Sequence, residues 1–226
     1  MGFPEILYED NHIIIVNKRS SDLVQGDGTG DEPLDDKVRA YIKQKYNKPG
    51  DVFLGVVHRL DRPVSGCVVY ARTSKALTRL SELFRTRDVK KTYWAIVTDR
   101  PPAEEGSLSN WLKKNETQNK SYVYDKEVKG SKLAELSYRI MGRSERYYLV
   151  QVDLQTGRHH QIRAQLAAAG CPIKGDLKYG AKRSNEGGGI SLHSRSVSFI
   201  HPVKNEEVNV TAPLPDDRIW KLFANI

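Results

Sequence analysis

Cysteine is nearly absent from this chain, and long apolar runs are missing altogether. The only cysteines among the 226 residues are Cys67 and Cys171, which form no short-spaced pair. A zinc site built on cysteine pairs and a disulfide framework are therefore not expected. No apolar run is long enough to cross a bilayer, and the first residues lack the basic and apolar regions of a signal peptide. These absences predict a cytoplasmic protein.

Acidic residues are outnumbered by basic ones. Lysine and arginine total 36 against 28 aspartates and glutamates, which gives a formal net charge of +8. A basic surplus favours polyanions such as nucleic acid or anionic membranes. Charge by itself does not separate an RNA-binding protein from an ordinary basic one.

Metal-binding spacings are also missing. The chain has neither an HxxxH nor an HExxH pattern, and no cysteine forms a ligand-like pair with a histidine. We therefore expect no catalytic metal. The histidines weighed as ligands are His58, His159, His160, His193 and His201.

Apolar periodicity predicts an α+β fold with a large mixed, mostly antiparallel sheet and few helices. We expect one domain spanning residues 1–226. Helices are predicted at 34–46, after the N-cap at Thr73-Ser74, and within 156–170. Residues 22–33 read as a mobile loop and 184–189 as a flexible tip. Strands are predicted at 5–8, 13–16, 53–57, 67–71, within 89–110, in a three-stranded antiparallel meander at 122–128, 133–141 and 147–154, and at 190–200 and 208–210.

The segment His58-Arg59-Leu60-Asp61-Arg62-Pro63-Val64-Ser65-Gly66 carries the strongest chemical signal. It places one carboxylate, Asp61, between two guanidinium groups, in a turn between two β-branched runs. An ionised carboxylate between buried strands must be paired or solvated. This arrangement favours chemistry on an anionic polymer.

That segment resembles the catalytic-aspartate motif of the RluA-type RNA pseudouridine synthases. Three further segments resemble that family's motifs in the same order: KTYWAIV at 91–97, TGRHHQIR at 156–163, and LHS at 192–194 followed by His201-Pro202. The resemblance extends from about residue 4 to 214. Departures at Val64, Cys67 and His159 remove no group that the chemistry needs. The resemblance implies a single catalytic domain that isomerises uridine to pseudouridine in ribosomal or transfer RNA without a cofactor.

The resemblance also assigns the catalytic residues. Pseudouridine formation breaks the C1′–N1 bond, joins C1′ to C5 and releases the C5 proton, and an aspartate can act as both nucleophile and base. Asp61 matches the catalytic aspartate. Arg163 matches the cation that pairs with it and keeps it ionised. Tyr93 matches the tyrosine that stacks on the flipped base, and stacking offsets part of the cost of extrusion.

The same motifs also suggest residues that bind the substrate. Leu192 matches an aliphatic residue that lines the pocket. Arg59 is expected to fill the gap left by the extruded base or to hold a phosphate. Arg62 is a weaker phosphate candidate, and Arg158 and Lys174 are candidates for the RNA backbone, with a solvated surface charge as the alternative for each.

Two other functions remain open at this point. One is a non-catalytic RNA-binding protein or RNA-folding helper with the same domain, and the other is a metal-dependent RNA hydrolase. Asp61 with its matching partners favours the isomerase. We expect RNA as the partner, no membrane, no metal, a monomer, and no separate N-terminal RNA-binding domain.

Overall fold

The structure, a computed structural model, describes residues 3–26 and 30–226. The chain divides into two compact units, which are described separately. The first comprises the chain up to Lys90 together with Ser194–Pro213, and the second comprises Lys91–His193 together with Leu214–Ile226.

The first unit is built around strands in the order β1-β2-β4-β10-β11, with β3 also paired to β4. Central strand β4 is buried along its whole length because apolar residues occupy both of its faces. The pairs β1–β2, β2–β4, β3–β4 and β10–β11 are antiparallel. The strands are β1 (Glu5–Glu9), β2 (Ile13–Lys18), β3 (Gly55–Val56), β4 (Ser65–Ala71), β10 (Leu192–Ile200, in this unit from Ser194) and β11 (Glu207–Thr211).

Two helices belong to the first unit, α1 (Leu34–Lys45) and α2 (Ser74–Thr86). Thr73 caps α2 as predicted, because its side chain accepts a hydrogen bond from the Ala76 backbone N–H. The apolar face of α2 packs on residues of β2, β4, β10 and β11 to form this unit's core.

The second unit contains strands in the order β5-β9-β8-β6-β7, with every neighbouring pair antiparallel. One face of β6, β7 and β8 packs on α3, through Leu112, Val123, Ala134 and Ala164. The elements are β5 (Lys90–Val97), β6 (Glu105–Asn115), β7 (Lys120–Tyr124), β8 (Lys132–Arg143), β9 (Tyr148–Leu154), α3 (Gln161–Ala168) and α4 (Arg218–Lys221).

The α+β prediction, with a mostly antiparallel sheet and few helices, is confirmed. The predicted meander is wrong, because β7 pairs with β6 and not with β8. The sequence pattern overlooked β6, whose polar residues face solvent. The strand predicted at 53–57 shrinks to two residues, and Phe53 is 48% exposed. Of the predicted loop at 22–33, residues 27–29 lie outside the described residues.

Candidate active site

Asp61 lies in an irregular segment that leads into β4, and its side chain is half-buried. The Asp61 carbonyl accepts a hydrogen bond from the Val64 N–H, which closes the turn. The ammonium of Lys18, at the end of β2, donates to three carbonyl oxygens: those of Arg19 at 3.0 Å, Arg62 at 2.9 Å and Val64 at 2.6 Å. One lysine therefore anchors the backbone on the C-terminal side of Asp61.

Lys18 is fully buried, which is rare for a lysine. Burial lowers the pKa of Lys18 to about 7, while the carboxylates of Asp22 and Asp61 act in the opposite direction. An ammonium has three donors, and three carbonyls receive them, so the geometry suits the protonated form. The cation thus contributes positive potential at Asp61 as well as loop anchoring.

Close packing further constrains the strand that follows the Asp61 segment. Gly66 has a φ of +111°, and a Cβ at this position would clash with the backbone of Ser194. Only glycine fits there. His58 accepts a hydrogen bond from the Val69 N–H through Nε2 at 2.9 Å and stacks on Phe84. These two contacts link His58 to β4 and α2.

The two arginines that flank Asp61 differ in their surroundings. Arg59 is exposed. Arg62 forms an exposed ion pair with Asp31, at 2.6 Å between Nη2 and Oδ2. Exposed ion pairs of this kind contribute little stabilising free energy, so an RNA phosphate can replace Asp31 as the partner of Arg62.

Arg163, in α3, is buried and not on the surface. Its Nε donates to Oδ2 of Asp176 at 2.7 Å, and its Nη2 donates to Oδ1 at 2.9 Å. The two side chains are 6% and 1% exposed. A bidentate pair of this geometry fixes the plane of the guanidinium. The pairing of Arg163 with Asp61 stays a prediction.

Tyr179 covers the other side of that guanidinium, with the Arg163 Cζ 5.1 Å from the ring centroid. The Tyr179 hydroxyl accepts from the Ser121 N–H at 2.8 Å and lies 3.0 Å from Nδ1 of His160. Burial, followed by the charge of Arg163, lowers the pKa of His160 to about 2. His160 is therefore neutral at physiological pH. Asp176 and Tyr179 together hold the arginine inside the second unit.

The other predicted residues of the second unit lie in varied settings. Tyr93 and Leu192 are buried, at β5 and at the start of β10. The Nε of Arg158 donates to the Leu133 carbonyl, and Lys174 donates to the Asn185 side chain at 2.6 Å. Both cations thus have protein partners, which makes them weaker candidates for RNA contact than Arg59.

Two important groups escaped the sequence analysis. Lys18 follows the apolar residues 13–16 after the polar Asn17, and its place at the end of this strand is the one signal that could have found it. Asp176 follows Gly175 in a loop, and nothing in its local pattern pairs it with Arg163. Among residues 3–26 and 30–226, no group of three or more His, Cys, Asp or Glu side chains is arranged to hold a metal ion. Within that same part of the chain, no helix combines the length and apolarity needed to span a membrane.

Comparison with known proteins adds independent evidence. A family model described as "RNA pseudouridylate synthase" matches residues 12–168, a range that includes Lys18, Asp61, Tyr93 and Arg163. The "Ribosomal large subunit pseudouridine synthase C" of Buchnera aphidicola subsp. Acyrthosiphon pisum is 35% identical over 94% of this chain and 68% of its own length. The protein of the same name from Vibrio parahaemolyticus is 33% identical over 98% of this chain and 69% of its own length.

Solved structures agree on the fold. "Human RNA Pseudouridylate Synthase Domain Containing 4" superposes with a TM-score of 0.82 at 23% identity, over 97% of this chain and 92% of that one. These matches confirm the predicted isomerase at the level of the family. They favour it over the two alternatives, the non-catalytic RNA-folding helper and the metal-dependent RNA hydrolase. The chain belongs to the RNA pseudouridylate synthase family, whose members convert uridine in RNA to pseudouridine.

Proposed function

We propose that Asp61 is the catalytic residue of this RNA pseudouridine synthase. The observation that carries the proposal is the anchored segment around Asp61, where a buried ammonium holds the backbone and leaves the carboxylate half-buried. A half-buried carboxylate at a fixed backbone keeps its nucleophilicity and reaches substrate. Asp61 either stabilises the positive charge at C1′ or forms a bond to C1′ as the C1′–N1 bond breaks, and an Asp61–C1′ bond breaks again when C1′ joins C5. After C1′ joins C5, the C5 proton leaves and N1 carries a proton instead.

Arg163 and Tyr93 complete the proposed catalytic set. The family resemblance assigns Arg163 as the cation that pairs with the catalytic aspartate, and within its own unit the orientation of the guanidinium is fixed by Asp176. Tyr93 stacks on the flipped uracil, and Leu192 packs at the same pocket. Arg59 is the main candidate for the gap left by the base or for a phosphate, and Arg62 is a secondary one.

The proposed substrate is ribosomal RNA of the large subunit. This choice rests on the relatives from Buchnera aphidicola and Vibrio parahaemolyticus, whose names specify that subunit. Transfer RNA is the second substrate class. We further propose that residues 1–226 act as one catalytic domain on RNA, without a cofactor, in a cytoplasmic monomer.

The decisive assay is release of tritium from RNA labelled at C5 of uracil, since pseudouridine has the same mass as uridine. Deproteinised large-subunit ribosomal RNA and total transfer RNA are compared as substrates. A positioned acid–base group contributes roughly 10²- to 10⁴-fold to the rate of a reaction. We expect Asp61→Asn to lose at least that much activity. The variant should fold normally because the amide has the same shape.

Asp36→Asn is the matched control, because Asp36 is an exposed carboxylate on α1 of the same unit. It should release tritium at the wild-type rate. Full activity of Asp61→Asn would show that Asp61 is not the catalytic residue. Release from transfer RNA alone would reject the ribosomal substrate and leave the role of Asp61 intact.

A further inference from the structure

One face of the β6–β7 ribbon in the second unit carries exposed aromatic rings beside lysines. Opposite pairs in the register are Trp111 with Tyr124 and Lys113 with Tyr122, so each pair shares a face. Lys120 lies next to these pairs, its Nζ 5.6 Å from the Tyr122 ring centroid. We call this surface the ribbon face, and it consists of Trp111, Lys113, Lys120, Tyr122 and Tyr124.

The rings of the ribbon face are open to solvent. Tyr122 is 39% exposed and Tyr124 is 38% exposed, and Trp111 is half-buried. Leu133 of β8 stands opposite Trp111 and extends the apolar row across a third strand. Exposed large aromatics in a row on a sheet are a costly arrangement in water unless a ligand covers them.

The opposite face of the same ribbon is locked to the body of the unit. Val123 packs with Leu112 against α3. The Ser121 hydroxyl donates to the His159 carbonyl at 2.7 Å, and the Ser121 N–H donates to Tyr179. The ribbon face is therefore a rigid platform, and a ligand that binds it pays little ordering cost.

The charge around the platform is positive. Between Trp111 and Leu133 the chain has six lysines and three carboxylates, which leaves +3. One of the carboxylates, Glu116, is already paired with Lys114. Stacking rings flanked by cations match the bases and phosphates of single-stranded RNA. An anionic membrane would match the same rings and lysines, but RNA is the substrate of the family to which the chain belongs, so the observations together favour RNA.

We infer that the ribbon face binds a single-stranded segment of the substrate RNA, with bases stacked on Tyr122 and Tyr124 and a phosphate held by Lys113. This inference takes its ligand from the proposed function and extends it to a binding surface outside the catalytic set. The surface should contribute to RNA affinity without contributing to the chemical step.

The test is fluorescence anisotropy with a labelled oligouridine of about ten nucleotides, within the site size of such surfaces. Tyr122→Ala and Tyr124→Ala are each expected to weaken binding about 5- to 150-fold, the equivalent of one stacked base. Tyr122→Phe should bind like the wild type, because the ring stacks without its hydroxyl. Lys113→Ala should reduce the slope of log affinity against log salt by about 0.7.

Tyr46→Ala and Lys43→Ala are the matched controls, because they remove an exposed aromatic and an exposed lysine from the region of α1 in the first unit. Both should leave oligouridine affinity unchanged. In the tritium assay the ribbon-face variants should raise KM with kcat unchanged. Wild-type affinity in Tyr122→Ala and Tyr124→Ala would overturn the inference. Asp61→Asn should bind oligouridine normally, so a failure of the chemistry is distinguishable from a failure of the platform.

Discussion

Replacing Asp176 by alanine tests how the second unit holds its buried arginine. The guanidinium of Arg163 donates twice to this carboxylate, at 2.7 and 2.9 Å, and both side chains are excluded from water. Removing the Asp176 carboxylate deprives the buried guanidinium of two charge-assisted hydrogen bonds and of the negative charge that they join. Losses of about 3–5 kcal/mol are typical of such changes. We expect Asp176→Ala to lower the free energy of unfolding by that amount.

Urea unfolding followed by tryptophan fluorescence measures this loss. The chain's three tryptophans, Trp94, Trp111 and Trp220, all belong to the second unit, so the signal reports on the unit that contains the pair. In a thermal scan the melting temperature should fall by roughly 6–20 °C, at 2–4 °C per kcal/mol for a chain of this size. Asp176→Asn should lose less, since the amide oxygen still accepts one hydrogen bond.

Two further variants make the test specific. Glu82→Gln breaks an ion pair with Arg85 in which both side chains are exposed, so its unfolding curve should match the wild type. Arg163→Met combined with Asp176→Ala should be less destabilised than the sum of the single variants, because the double variant removes both charges of the Arg163–Asp176 pair together. If the unfolding free energy of Asp176→Ala lay within about 1 kcal/mol of the wild type, the pair would contribute no more than an exposed ion pair does. That result would refute the prediction that the Arg163–Asp176 pair is a buried, stabilising one.

Two more predictions concern the first unit. Lys18→Met leaves three carbonyls without their donor, at about 1–3 kcal/mol for each unsatisfied buried group, and releases the backbone beside Asp61. We expect lower stability by far-UV circular dichroism and slower tritium release, and a stable, fully active variant would contradict the anchoring role. Burial alone would raise the pKa of Asp10, but hydrogen bonds from Lys204 and from backbone N–H groups outweigh it and lower the pKa from 3.8 to about 2. Asp10→Ala should therefore cost about 2 kcal/mol at neutral pH, and the difference from the wild type should hold above pH 4 and vanish as pH falls through about 2. A pH-independent difference between the two unfolding curves would show that the carboxylate charge is not its source.

Local pattern was sufficient for most of the secondary structure. Helix α2 could be predicted from its threonine cap and its leucine spacing, and β4 from a run of β-branched residues. The irregular segment at 57–64 follows from its charges and its proline, and it places Asp61 outside any strand. These features depend on neighbours in sequence, so a pattern detects them.

Strand pairing was the point at which local pattern failed. In β6, exposed polar residues alternate with half-buried ones, and such a polar pattern resembles that of a loop. In the structure, β6 lies between β7 and β8. Register and neighbour choice depend on which apolar faces find a partner, here the face that packs on α3. The ribbon face exists only because of that insertion.

The amino-acid order by itself determined the α+β class, the basic character and the motifs at 58–66, 91–97 and 156–163, which lie within the range matched by the RNA pseudouridylate synthase model, because composition and short-range spacing encode them. Tertiary structure alone decided that Lys18 anchors the segment around Asp61 and that Asp176 holds Arg163. A buried charge takes whichever partner the packed chain brings within hydrogen-bonding distance. That distance depends on how the strands and loops pack, and separation along the chain does not predict it.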